Sequence, residues 1–187
     1  MITNIYFVRH ATSDLSVRQD DIRPLTKAGK SDSKRVTATL FDKNISAIYS
    51  SPYLRTVDTI KDLAECVGTE IILVDDLRER GTGGWVEDFP AFALRQWQDF
   101  DYRRTNGESL REVQARNVFA LHEITKDNLG KNVAIGTHGT ALSTIVNYYD
   151  PCFSYEDFLG MVDKTPYILC FTFKGFEVEH ITEIELA

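Results

Sequence analysis

Arg9 and His10 close the apolar run Ile5-Tyr6-Phe7-Val8, and His138, between Thr137 and Gly139, closes a second run, Val133-Ala134-Ile135-Gly136. Each histidine sits where a buried-strand pattern gives way to a loop or helix, the carboxyl edge at which open α/β sheets gather ligands. A third strand pattern, Ala47-Ile48-Tyr49, leads into Ser50-Ser51-Pro52-Tyr53-Leu54-Arg55 and adds a guanidinium. Arginine presents a planar fork of donors suited to phosphate, so two imidazoles beside it point to a phosphoryl group rather than a metal. An imidazole is largely neutral near pH 7, hence nucleophilic, and its second nitrogen can be fixed by a hydrogen bond. His10 is therefore the candidate nucleophile, and Arg9, Arg55 and His138 are candidates to neutralise the equatorial phosphoryl oxygens. Gly139 lets the backbone come close, and the helix start behind it adds N–H donors for an anion.

Departure of an alkoxide requires an acid. Asp75-Asp76-Leu77-Arg78-Glu79-Arg80 brings carboxyl groups just after the strand pattern Ile71 to Val74, near the same sheet edge. Glu79 is the choice within that cluster, but spacing alone leaves Glu87 and Asp88 open as alternatives, and the whole cluster has a plain reading as a solvated acidic face.

The elements that must position these groups follow from periodicity. A strand over Ile2 to Val8, a helix over Lys27 to Phe41, a strand over Ala47 to Ser50, a helix over Leu54 to Val67 and a strand over Ile71 to Val74 alternate in the way of an α/β fold with a largely parallel sheet. Gly81 to Pro90 reads as a loop, and Phe92 to Phe100 has helical spacing with no evident cap. Ser109, with Glu112 three residues on, predicts a capping box for a helix to about Lys126. A strand over Val133 to Gly136 and a helix over Ala141 to Tyr148 follow. The chain then ends in a hairpin, Tyr167 to Phe173 turning at Lys174-Gly175 into Phe176 to Ile184. No repeat or linker interrupts this, so residues 1–187 are expected to form one domain.

The chain has 187 residues, 43% of them hydrophobic and 26% charged, an ordinary composition for a soluble globular protein. Its net charge of −7 disfavours nucleic acid and anionic membrane as partners, so an anionic substrate has to be held by local cations. Cys66, Cys152 and Cys170 lack metal-ligand spacing, the N-terminus lacks a signal pattern, and no apolar stretch is long enough to span a bilayer. A cytoplasmic location is the expectation, with no metal, no cofactor, a small phosphorylated molecule as partner, and oligomeric state open to a homodimer.

Taken in order, the motifs resemble those of the histidine phosphatase superfamily, which includes cofactor-dependent phosphoglycerate mutases and many small phosphatases. Arg9-His10-Ala11 is similar to its Arg-His-Gly signature, Ser51-Pro52-Tyr53-Leu54-Arg55 to Ser-Pro-x-x-Arg, Leu77-Arg78-Glu79 to the Leu-x-Glu acid segment, and His138-Gly139 to the late His-Gly. Pro24-Leu25-Thr26-Lys27-Ala28-Gly29 resembles the Leu-Thr-x-x-Gly helix start and Gly107-Glu108-Ser109 the Gly-Glu-Ser motif. The resemblance implies a three-layer α/β sandwich with a largely parallel central sheet and an antiparallel edge. It also implies phosphorylation of His10, phosphoryl binding by Arg9, Arg55 and His138, and Glu79 as proton donor and then base. Two positions depart from the pattern. Ala11 replaces glycine and adds a methyl where the backbone should near phosphate, and Ser16 stands about where many members carry asparagine. Ser13 keeps a hydroxyl available to the phosphoryl oxygens.

Other residues have plainer readings. His122 and His180 are expected to be structural. Arg18, Arg23, Arg78 and Arg80 are candidates for a substrate anion set against the commonness of surface arginines. Trp85, Phe89, Phe92 and Trp97 are core aromatics, some of them a cap over the site. A metal-independent phosphomonoesterase is the leading function. A mutase ranks second, because Glu79-Arg80 is followed at once by Gly81-Thr82-Gly83, without the insertion and tyrosine that mutases of this type carry. A catalytically silent binding protein ranks third.

Overall fold

A computed structural model describes residues 1–187. Four strands run parallel: β1 (Ile2–Arg9), β2 (Ile45–Ser50), β3 (Ile71–Leu73) and β4 (Asn132–Thr137). The hairpin β5 (Tyr167–Lys174) and β6 (Glu177–Ile184) adds an antiparallel edge, giving the order β3-β2-β4-β1-β5-β6. The sequence-based expectation of a largely parallel sheet with an antiparallel edge is met.

Side chains of a strand alternate between faces, and here the alternation builds two cores. Ile5, Phe7, Val133, Ile135, Leu169, Phe171 and Phe173 face one side and pack on Leu121 and Ile124 of α4 (Leu110–Asp127) and Leu142 and Ile145 of α5 (Gly139–Tyr149). Tyr6, Val8, Ile48, Ala134, Ile168 and Cys170 face the other and pack on Val36 and Leu40 of α1 (Lys27–Leu40) and Ile60 and Leu63 of α2 (Leu54–Val67). Helices thus cover both faces of the sheet, which makes three layers. No helix is long and apolar enough to cross a membrane.

Chain order numbers the remaining helices α3 (Phe89–Gln98) and α6 (Tyr155–Val162). The expected capping box at Ser109 and Glu112 is present. The segment read as Phe92 to Phe100 without a cap is instead capped by Asp88, whose carboxyl accepts from the Ala91 N–H at 3.0 Å, with Pro90 in the first turn. Sequence reading missed α6 altogether, although Ser154 and Asp157 form a second capping box that marks its start. Its few apolar positions gave too short a period to register. At the start of α1, Thr26 caps Gly29 and its own N–H and hydroxyl both reach the Thr12 carbonyl. A Cβ on Gly29 would lie 2.2 Å from that carbonyl oxygen, so only glycine lets α1 dock against the segment leaving β1.

Phe171 is fully buried and meets Phe7 edge to face at a centroid distance of 5.0 Å, whereas Phe176 in the hairpin turn is 55% exposed. Phe171→Ala is expected to cost about 3–5 kcal/mol of unfolding free energy and Phe176→Ala no more than about 0.5 kcal/mol. Urea unfolding of the two variants checks this, and equal losses would contradict the layer assignment.

Candidate active site

The site is assembled by the carboxyl ends of β1, β2 and β4. Strands β1 and β4 run parallel with Arg9 opposite Thr137, and the His10 N–H donates to the Thr137 carbonyl at 3.0 Å. The two histidines that follow these strands therefore lie together, their rings 5.4 Å apart and tilted by 67°. The Ser51 N–H donates to the Gly136 carbonyl at 3.0 Å and so brings the Ser-Pro-Tyr turn beside them. Arg55 in the first turn of α2 is 2% exposed, and Tyr53 lies between it and His138, 5.1 Å from each.

His10 Nδ1 is 2.8 Å from the Ala11 carbonyl oxygen. A carbonyl can only accept, so Nδ1 carries the proton and Nε2 carries the lone pair. Burial, then the Arg55 charge, pushes the His10 imidazole well below the usual histidine value. His138 is pushed down in the same way, first by burial and then by Arg55, and its Nε2 lies 2.7 Å from the Ser51 hydroxyl. Both rings are neutral at pH 7.

Arg9 reaches away from β1 and donates through Nη1 to the carbonyls of Met161, Val162 and Lys164, which fixes it to the end of α6. Burial lowers its guanidinium to about 10, so it is cationic at neutral pH. Arg55 gives Nη1 to the Asp20 carbonyl and, at 3.2 Å, to the Asp20 carboxyl. The Nε atoms of Arg9 and Arg55 and Nδ1 of His138 are buried without a hydrogen-bond partner. Buried donors are ordinarily paired, and three orphans on adjoining side chains suit an anion with several oxygens. No three or more His, Cys, Asp or Glu side chains gather as a metal-binding set.

Glu79 enters from the segment after β3. Its Oε1 accepts from the Arg80 N–H at 2.7 Å and its Oε2 from the Thr140 N–H at 3.1 Å. The first turn of α5, expected from sequence to offer donors to a bound anion, thus spends one of them on Glu79. The reason is geometric: Thr140 is the second residue of a helix that starts at the site, and its N–H has no partner within the helix. Of the two competing acids, Asp88 is engaged in capping α3 and Glu87 is exposed.

The structure also fixes the surroundings of other residues singled out in the sequence. A Cβ on Gly139 would meet Val162 Cγ1 at 3.0 Å and Arg9 Nε at 3.2 Å, so this glycine makes room for the Arg9 side chain. Ala11 is fully buried and its N–H donates to Thr59 Oγ1 of α2. Ser13 pairs with Leu25 through the main chain in the segment that leaves β1. Ser16 is exposed and donates its N–H to Asp14. Arg80 is buried under Phe89 and Phe92 and bonded to Gln96. Trp97 packs on Phe100, Phe153 and Phe158 as core rather than cap. His122 bonds Tyr149, a structural contact as expected.

Sequence reading missed the framework behind Glu79. Arg116 of α4 donates to the carbonyls of Asp76, Arg78 and Glu79 while its fork holds both oxygens of Glu108 at 2.9 Å. Glu108 also accepts from Gly81 N–H and Arg78. Burial alone would raise its carboxyl, yet these partners hold it below the usual value. The Gly-Glu-Ser motif was the available signal for Glu108. Arg116, one turn position among many on a helix, carried none.

In the unfolded chain both histidines take up protons below about pH 6.5, while in the fold His10 and His138 stay neutral until well below that. Stability is consequently lost as pH falls from about 6.5 toward the folded values. The drop in urea midpoint between pH 7.5 and pH 5.5 is expected to be smaller in His10→Ala than in wild type; an equal or larger drop would contradict the neutral imidazole.

A model of the histidine phosphatase superfamily (branch 1) matches residues 5–177. The chain is 28% identical over 151 residues to phosphoserine phosphatase 1 of Hydrogenobacter thermophilus, which covers 73% of this chain and 71% of that protein. It is 27% identical over 158 residues to a probable phosphoglycerate mutase of Enterobacter sp., covering 76% and 73%. Among solved structures, YhfR of Bacillus stearothermophilus superposes with a TM-score of 0.82 at 22% identity, over 97% of this chain and 96% of that one, a likeness of fold.

Proposed function

The chain belongs to the histidine phosphatase superfamily, branch 1, and we propose that it is a metal-independent phosphomonoesterase working through a phosphohistidine at His10. Its class, phosphoric monoester hydrolase, is the one named for its phosphoserine phosphatase relatives. The observation that carries the mechanism is the His10 imidazole with Nδ1 tied to the Ala11 carbonyl, which leaves the lone pair on Nε2, in a ring beside His138 and under the charges of Arg55 and Arg9.

In the first step Nε2 forms a bond to phosphorus as the ester P–O bond breaks, and Glu79 passes a proton to the departing oxygen. In the second step Glu79 takes a proton from water, the water oxygen attacks phosphorus, the N–P bond breaks and inorganic phosphate leaves with His10 restored. Arg9, Arg55 and His138 stabilise charge on the three non-bridging oxygens, which is the main requirement of phosphoryl transfer. The cation count supports this without a metal. The substrate is a small phosphorylated metabolite.

Hydrolysis of p-nitrophenyl phosphate and of an alkyl phosphate is expected to persist in excess chelator, and His10→Ala is expected to lower kcat by several orders of magnitude. An acid-labile, alkali-stable phosphoryl group should map to His10. Near-normal turnover in the variant, or label on a hydroxyl, would sink the mechanism; 2-phosphoglycerate formed from 3-phosphoglycerate without phosphate release would make the chain a mutase.

Glu79→Gln should depress kcat/KM on an alkyl phosphate far more than on an aryl phosphate, because a general acid matters most for a basic leaving group. Asp88→Asn serves as comparison: were it to cripple the alkyl substrate while Glu79→Gln did not, the proton donor would be misassigned.

A further inference from the structure

The strand order places β2 and β4 between β3 and β1, so the loops that leave β2 and β4 with Ser51, Arg55 and His138 lie between those that leave β3 and β1. Any contact between the β1 loop and the β3 loop must therefore cross the mouth of the site. One such contact exists. The Arg18 guanidinium, from the segment after β1, lies over the ring of Trp85, from the segment after Glu79, at 5.1 Å. The near anchor of this bridge is firm: Asp20 holds Arg55, Arg23 holds Asp20, and Arg23 also takes the carbonyls of Val17 and Arg18. The far anchor is Arg104, which donates to the carbonyls of Gly84 and Trp85.

The charges of this bridge are unbalanced. In a chain of net charge −7, with ion pairs at Arg23, Arg55, Arg78 and Arg116, neither Arg18 nor Arg104 meets a carboxylate. Trp85 is 41% exposed and its ring face attracts the Arg18 guanidinium without neutralising it. An uncompensated guanidinium held between the loops on either side of a phosphoryl site is suited to a second anion on the same substrate.

Resting on the phosphomonoesterase reading, we propose that Arg18, seated on Trp85, recognises an anionic group at the far end of the substrate, so that the preferred substrates are small phosphomonoesters bearing a second negative charge. A carboxylate and a second phosphate share that chemistry. The β1 and β3 loops then act as one specificity element, with the phosphoryl group below the bridge and the second anion against it.

The test is a matched series: propyl phosphate, 3-(phosphonooxy)propanoate and propane-1,3-diyl bisphosphate, assayed with wild type, Arg18→Gln, Arg18→Lys and Trp85→Leu. The expected result is a higher kcat/KM for the anionic tails in wild type, and a loss in Arg18→Gln that is greater on them than on propyl phosphate by about tenfold, equivalent to about 1.4 kcal/mol. Arg18→Lys should recover part of it. Whichever anionic tail loses more identifies the source of the second charge. The same compounds are titrated calorimetrically into His10→Ala with and without Arg18→Gln, so that anion preference and the part of Arg18 in it are read even where turnover is absent. Absence of turnover in wild type on all three, with the binding preference intact, would fail the phosphomonoesterase reading alone. Equal effects of Arg18→Gln on all three compounds, in turnover and in binding, would overturn the role of Arg18.

Discussion

His10 donates its backbone N–H to the Thr137 carbonyl, and the rest of the site depends on that hydrogen bond. It continues the parallel ladder of β1 and β4 by one residue past the end of β1, which sets the register of two loops that are distant in sequence. A slip of one residue would turn Phe7 and Ile135 out of one core and Val8 and Ala134 out of the other, so the hydrophobic layers hold the register that the chemistry requires. Arg9 is the last residue of the strand, and its side chain is carried past Gly139 to the end of α6. Small size at Gly139 and the three carbonyls of α6 and its following turn are thus parts of one arrangement.

Charge is distributed to match. An acidic chain concentrates Arg9 and Arg55 around two neutral imidazoles, and each cation is partly offset by an acid that leaves donor atoms free. Asp20 takes only Nη1 of Arg55, and Glu79 is shared between two backbone amides. Burying a guanidinium is costly unless its donors are satisfied, and the surplus here is what an incoming phosphoryl group would satisfy.

Glu79, the proposed proton donor, is held by a layer of residues that never reach the site. Arg116 and Glu108 tie α4 to the turn after β3 through three carbonyls and an amide, and Arg80 locks the same turn to α3 through Gln96, Phe89 and Phe92. That arrangement explains why the aromatic-rich stretch after Glu79 is mostly packing. Phe92 and Trp97 are consumed by it, while Trp85 remains exposed at the mouth.

The amino-acid sequence by itself determined the alternation of strands and helices, because apolar periodicity of two and of 3.6 is a local property, and it determined which side chains end the central strands. His10, Arg55 and His138 were legible for that reason, and the terminal hairpin through its Gly175 turn. The helix α6 was not, being too short for a clear period, and the cap of α3 was hidden because Asp88 had a rival reading as an acid. Tertiary structure alone decided which nitrogen of His10 bears its proton, that Glu79 sits at the first turn of α5, that Gly139 serves Arg9, and that the Ala11 N–H is taken by Thr59. Each of these depends on a partner far away along the chain or on a backbone direction at a loop. Such contacts are fixed by how the layers close over one another, and no local pattern of residues encodes that.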